Sequence, residues 1–307
     1  MTELRCEDLR TKPFQAVVGI DSAQHYRDLS KEVAKQAVDE RFGLRTYDQL
    51  GRRAVGLLMT EKTGLLCIPN RHGAIYPMSA ETEAIAGNRA RTSIFQAEPM
   101  PLIVHYNTDH PEVVGEQLNR AILPIHSSVD GIQVNGLDFG EQMDSLSSFR
   151  VGNPNLMSIP LIVQINKNLL DEYTPSQLAA KIKQQFYGDR VNYSNCNGVI
   201  SYVWLDPSGG LGNQFDPEKM IDYISAIRQE TPQIGIGVAG GLDYSNLSSR
   251  MLPILEKHPD ISWDTQSGVQ NEVNGRRQFS TIKAAKFLIA SENLRQQVDD
   301  ERAYLQV

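Results

Sequence analysis

Three features of the sequence predict an α/β fold in which eight parallel strands alternate with helices and close into a (β/α)8 TIM barrel. Short apolar runs of strand length recur from residue 14 onward. Longer amphipathic stretches of helix length separate them. The runs are apolar nearly throughout, as strands covered on both faces are, and do not alternate like half-exposed ones. Eight such units are most economically closed into a barrel. An open doubly wound parallel sheet is the alternative.

The strands are expected at residues 14–19 (FQAVVG), 54–59 (AVGLLM) or 64–68 (GLLCI), 101–106 (PLIVHY) and 130–135 (DGIQVN), then at 160–166 (PLIVQIN), 198–205 (GVISYVWL), 233–239 (QIGIGVA) and 260–264 (DISWD). The helices fall between them, at 25–42, 79–91, 111–122, 175–187, 217–229, 245–257 and 279–297. Ser79 ahead of Glu81, and Asp216-Pro217, are helix-opening punctuation. The Gly/Ser/Asn-rich stretch 136–159 reads as a loop with one short helix. Residues 1–13 form a charged N-terminal extension, and 14–300 a single barrel domain with enlarged loops near 43–65 and 136–159.

Composition narrows the function. The chain has 307 residues, is 40% hydrophobic and carries a net charge of −7. An acidic chain without a basic block has nothing to grip a nucleic-acid backbone. The three cysteines, Cys6, Cys67 and Cys196, and the six histidines are scattered, without CxxC or HExxH spacing, so no metal is expected. An odd, unpatterned cysteine count suits a reducing compartment. The charged start lacks the apolar core of a signal peptide, and no apolar run approaches the ~18 residues of a membrane span. The expectation is a cytoplasmic monomer or homodimer with no membrane partner and no cofactor.

Gly235-x-Gly237-x-x-Gly240 has the spacing of a dinucleotide fingerprint, but that motif follows a strand. Arg228-Gln-Glu-Thr-Pro232-Gln233 reads instead as a helix end and a turn. Residues 233–239 are then the strand, and Gly240-Gly241 a turn whose backbone N–H groups face an anion. A polar rim supports a pocket at the strand ends. Residues two apart share a face, and His105/Asn107, Gln133/Asn135, Gln164/Asn166 and Trp204/Asp206 each end an apolar run at that spacing. Chemistry in barrels sits at this C-terminal end.

Further motifs carry a family resemblance: Leu205-Asp206-x-x-Gly209-Gly210-x-Gly212-x-x-Phe215-Asp216, Ala239-Gly240-Gly241-Leu242-x-x-x-Asn246 and Asp264-x-x-Ser267-Gly268-Val269. In order and spacing over residues 130–290, the chain resembles phosphoribosylanthranilate isomerase, a barrel of the ribulose-phosphate-binding type. Gln133-x-x-Gly136 echoes the family's Gln-Leu-His-Gly strand, with Asn135 where its His is expected. Asn70-Arg71 resembles the family's Ser-x-Arg segment. The resemblance implies a phosphate cup of Gly210, Gly212, Gly240, Gly241, Ser267 and Gly268, with Asp206 as general acid. Arg71, with its planar fork, then holds the rest of the ligand together with Asn107, Gln133, Asn135, Gln164 and Asn166.

One departure stands out. The family's catalytic Cys on the first strand is replaced by Val18. Valine takes no proton, and proton transfer needs a titratable group within hydrogen-bond reach. Asp21, Cys67 and His105 are the candidate replacements. The expected function is an enzyme, an isomerase or a lyase, acting on a small phosphoribosyl-like metabolite. The alternatives are a binder that kept the cup and lost the chemistry and, third, an NAD(P)-dependent oxidoreductase.

Overall fold

The computed structural model describes residues 13–20, 22–39, 53–60, 101–135, 139–153, 156, 159–187, 200–208 and 212–305. Its strands are β1 (Gln15–Val18), β2 (Arg53–Thr60), β3 (Leu102–Asn107), β4 (Gly131–Val134), β5 (Leu161–Asn166), β6 (Tyr202–Asp206), β7 (Gly235–Val238) and β8 (Ser262–Thr265). Each pairs in parallel with the next. The ladder returns through Gln15–Trp263, Ala16–Asp264 and Val17–Thr265, closing β8 onto β1 as a barrel and disposing of the open-sheet alternative. The second strand is the 54–59 run; residues 64–68 and the 79–91 helix lie outside the described residues.

Helices α1 (Ala23–Asp39), α2 (Val114–Ile122), α3 (Glu141–Gly152), α4 (Lys167–Glu172), α5 (Pro175–Tyr187), α6 (Pro217–Glu230), α7 (Leu247–Lys257) and α8 (Thr281–Leu305) follow in order. They bury the outward residues of the strands, such as Val17, Val104, Val163 and Val203, in one continuous apolar layer. Arg295 of α8 secures the closing seam. Its guanidinium donates to the carbonyls of Pro259 and Ile261 and lies over the Trp263 ring, 4.1 Å from its centroid. The same indole donates to Ser291 Oγ at 2.9 Å. A guanidinium with its donors placed on carbonyls is tolerated in a dry layer where an unpaired one is not.

The inward residues form a separate cluster: Phe14, Ala16, Ala54, Ile103, Ile162, Tyr202, Trp204 and Ala239. Phe14 packs between the large rings, 5.6 Å from Tyr202 and 5.2 Å from Trp204. These rings fill the lower half of the barrel, and β7 makes room for them. A Cβ on Gly235 would lie 2.1 Å from the Tyr202 ring, and one on Gly237 2.3 Å from the Trp204 ring. The first two glycines of the GxGxxG spacing therefore face aromatic side chains inside the barrel and leave no room there for a pyrophosphate.

The structure differs from expectation in three further places. The stretch 136–159 carries a helix of 12 residues, α3, where a loop with one short helix was expected. Its buried Met143, Leu146 and Phe149 recur every three residues among polar neighbours. A short helix, α4, intervenes between β5 and α5. An antiparallel hairpin, β9 (Gln270–Val273) with β10 (Arg276–Phe279), follows β8. It turns on Asn274 (φ 52°) and Gly275 (φ 72°), the two left-handed residues a tight I′ hairpin requires. Asn-Gly is the strongest local hairpin signal a sequence offers.

Replacing Gly237 by Ala drives a methyl into a ring that has no free volume to retreat to. We expect Gly237→Ala to lose about 1–3 kcal/mol in urea unfolding. Gly152→Ala, whose Cβ meets nothing within 4 Å, is the control. Equal stability of the two variants would contradict the packed-ring account.

Candidate functional site

Above the rings the barrel interior turns polar. The inward positions of β4, β5 and β6 carry Gln133, Gln164 and Asp206, joined side chain to side chain. Gln164 Nε2 donates to Asp206 Oδ2 at 2.6 Å, and its Oε1 accepts from Gln133 Nε2 at 3.1 Å. The Gln133 amide also reaches Asn135 Oδ1 at 3.3 Å. On the other side of Asp206, Oδ1 accepts from the Ser208 N–H at 2.9 Å and from Ser208 Oγ at 2.6 Å. Asp206 thus accepts three hydrogen bonds while 5% exposed. The backbone bond two residues on is the turn an aspartate makes locally as the chain leaves a strand.

His105 of β3 is in register with Gln133 and 3% exposed. Burial lowers its pKa to about 3, so the imidazole is neutral at physiological pH. Its Nε2 has no hydrogen-bond partner among the described residues, nor has the indole Nε1 of Trp204. Buried polar atoms are nearly always paired, so these two leave unused hydrogen-bonding capacity inside the barrel.

Asp264 of β8 lies beside Ala16 in register and is 5% exposed. Burial, and then the charge of Asp206, push its carboxyl well above the ordinary range, which favours the protonated acid. Among the described residues no Lys or Arg forms an ion pair with either carboxyl.

The loops after β6, β7 and β8 meet beside this network. Gly241 has φ 60°, and a Cβ there would lie 2.6 Å from the Gly212 carbonyl oxygen. A Cβ on Gly268 would lie 2.1 Å from the Leu242 carbonyl oxygen, and Gly212 lies against Ser267. Thr265 Oγ1 donates to Leu242 O, tying the β7 and β8 loops together. The turn after β7 is held by Asn246, whose Nδ2 donates to Gly241 O at 2.8 Å and whose Oδ1 accepts from the Asp243 N–H at 2.9 Å. Among the described residues, the N–H groups of Gly240 and Gly241 meet no acceptor.

Of the residues singled out in the sequence, the structure brings together Asp206, His105, Gln133, Asn135 and Gln164, and gathers Gly212, Gly240, Gly241, Ser267 and Gly268 at adjoining loop tips. Asn107 ends β3, half-buried, opposite Thr60. Asn166 commits its Oδ1 to the Leu169 N–H at 3.2 Å, capping α4. Asp21, Cys67, Arg71 and Gly210 lie outside the described residues. Val18 is buried at the end of β1, on the inward side by alternation from Ala16. Sequence reasoning missed Asp264 and Ser208. Asp264 had been read only as the start of a glycine motif, although its alternation with Ser262 on an otherwise apolar strand was a usable signal. Among the described residues no group of three metal-ligating side chains occurs, and no helix is long and apolar enough to cross a membrane.

The fold and the position of this site define a TIM barrel with a polar, carboxylate-bearing mouth. No family model matches the chain, and no curated protein matches it in sequence. Among solved structures it is similar to phosphoribosyl anthranilate isomerase from Thermococcus kodakaraensis, at 13% identity over 92% of this chain and 99% of that one, TM-score 0.49. It is also similar to TrpF from Jonesia denitrificans (11% identity, 92% and 98% covered, TM-score 0.47) and to KGPDC from Streptococcus mutans (10%, 94% and 99%, TM-score 0.48). Overlaps this low carry no argument about the reaction.

Two buried groups give stability a signed pH dependence. His105 binds a proton in the unfolded chain near pH 6.5 and in the fold only near 3. Stability is therefore lost as pH falls through that window, by on the order of 5 kcal/mol at its acid end. Asp264 acts in the opposite sense: its raised pKa makes the unfolded chain give up its proton first, so stability falls as pH rises above about 4. We expect His105→Gln to flatten the acid limb of a Tm-against-pH curve. We expect Asp264→Asn to gain on the wild type progressively above pH 4. Parallel curves for all three proteins would contradict the assignment.

Proposed function

We propose that the protein is an enzyme that moves protons on a small phosphorylated, phosphoribosyl-like metabolite, an isomerase in a barrel of the ribulose-phosphate-binding type. The observation that carries this reading is Asp206: a buried carboxyl at the C-terminal end of a barrel strand, fixed by three donors and continuous with a chain of amides. A titratable group held rigidly at this position is what general acid–base chemistry requires. By resemblance Asp206 takes the place of the general acid. Gln133, Asn135, Gln164 and Asn107 offer donors and acceptors of the kind that orient sugar hydroxyls, and neutral His105 offers one more. The phosphate is assigned to the tips carrying Gly212, Gly240, Gly241, Ser267 and Gly268, with Gly210 added by the resemblance; the unpaired N–H groups of Gly240 and Gly241 suit an anion. No cofactor is required for such a reaction.

A second reading is supported by Val18. With no titratable group at that end of β1, the protein is a binder that kept the cup and lost turnover. Phosphoribosylanthranilate as a probe substrate, together with an inorganic phosphate titration followed by amide NMR, separates the two. The enzyme reading expects wild-type turnover, a loss of about 100-fold or more in kcat in Asp206→Asn, and phosphate shifts at Gly240, Gly241 and Gly268 in both proteins. The binder reading expects the shifts without turnover. Absence of any shift at these glycines would remove the phosphorylated-ligand class.

A further inference from the structure

We infer that Asp206 and Asp264 act as one proton-transfer pair across the barrel mouth, one protonated and the other ionised, so that the partner missing from β1 is supplied by the neighbouring strand β8. The inference rests on the proposed isomerase reading and names the second group of the same site.

Four observations support it. Both carboxyls are on the inward faces of their strands and 5% exposed. Leu205 and Trp263 both pair with Val238, so the next residues, Asp206 and Asp264, stand at the same level of the barrel two strands apart; burial, and then the charge of Asp206, raise the Asp264 pKa. The surroundings offer no third charge: among the described residues the inward titratable groups are His105, neutral by burial, and Tyr202 in the ring layer below. β1 contributes Ala16 and Val18, β7 contributes Gly235, Gly237 and Ala239, and β8 adds Ser262. Two carboxyls in such a place do not both ionise. Finally, the unpartnered Nε2 of His105 and Nε1 of Trp204, both more than nine-tenths buried, leave hydrogen-bonding capacity inside the barrel for a polar guest.

The hydrogen bonds assign the roles, and they reverse the assignment taken from the resemblance: Asp264 is the acid and Asp206 the base. Asp206 accepts from three donors, whereas the Asp264 carboxyl has no hydrogen-bond partner among the described residues. Asp264 gives its proton to a substrate ring oxygen as the C–O bond breaks, and that bond's electron pair stays on the oxygen. Asp206 takes a proton from the carbon next to the former ring carbon, and the C–H electron pair forms the new double bond. One proton enters the substrate and one leaves, so the pair holds one proton and one negative charge both before and after, and no redox partner is needed.

Titration of 13Cγ-labelled aspartates by NMR tests the coupling of the pair without any substrate. The expected result is two linked steps, one well above the ordinary aspartate range, with the Asp264 step moving down in Asp206→Asn. Two independent steps near pH 4, or an Asp264 step unmoved by Asp206→Asn, would overturn the pair. With phosphoribosylanthranilate as the probe, Asp264→Asn is expected to lower kcat by about 100-fold or more at nearly constant KM and to remove one limb of the kcat–pH profile. An unchanged kcat or an unchanged profile overturns the role of Asp264. A wild type that leaves this probe untouched counts against the isomerase reading alone, and the titration still decides the pair.

Discussion

Strand β6 sends Tyr202, Trp204 and Asp206 to the same side, and the barrel has to close around all three. The interior of an eight-stranded barrel is wide enough for side chains and little else. Two large rings from one strand take up the share of several neighbours, so the facing positions shrink to Gly235, Gly237, Ala16 and Ala54. This uneven packing separates the interior into two regions. Below, the rings and Phe14 leave no path through the barrel. Above, Asp206 stands on a dry floor, where an ion or hydrogen bond is felt more strongly than in water.

That floor explains the electrostatics of the mouth. A neutral imidazole, a carboxyl pushed toward its acid form and a carboxylate wrapped in donors are three answers to the same shortage of water. No arginine or lysine among the described residues relieves it. The amides of Gln133 and Gln164 do so instead, passing their dipoles along the row to Asp206. Dipoles of this kind, fixed before a substrate arrives, need no reorganisation during the reaction.

The fold was legible because strand-length apolar runs, helix-length spacers and turn residues all agreed, as for 160–166, 175–187 and 217–229, which the structure reproduces within a residue. The rim was legible through period-two alternation, which placed Gln133, Gln164 and Asp206 on one face. The misreadings have physical causes. Polarity around α3 masked a helix whose apolar positions are few but correctly spaced. Asn166 looks like a rim residue and is also a helix cap, because the turn from β5 into α4 needs an acceptor where the strand ends. Asp264 was hidden by its neighbours: a motif noted for its glycines drew attention from the acid that opens it, and no local pattern shows which distant carboxyl will stand beside it.

Closure is what makes that last relation possible. In an open sheet β1 and β8 would sit at opposite edges, and a titratable group absent from β1 could not be supplied from β8. In the barrel Asp264 pairs in register with Ala16, two residues before Val18, so the last strand borders the place the first has vacated. On the proposed pairing, Val18 leaves β1 without a titratable group and β8 supplies one. The same adjacency constrains β8. Its seam must be held tightly enough to fix a carboxyl, and Arg295, stacked on Trp263 and bonded to the carbonyls on either side of Asp260, provides that hold from outside the barrel.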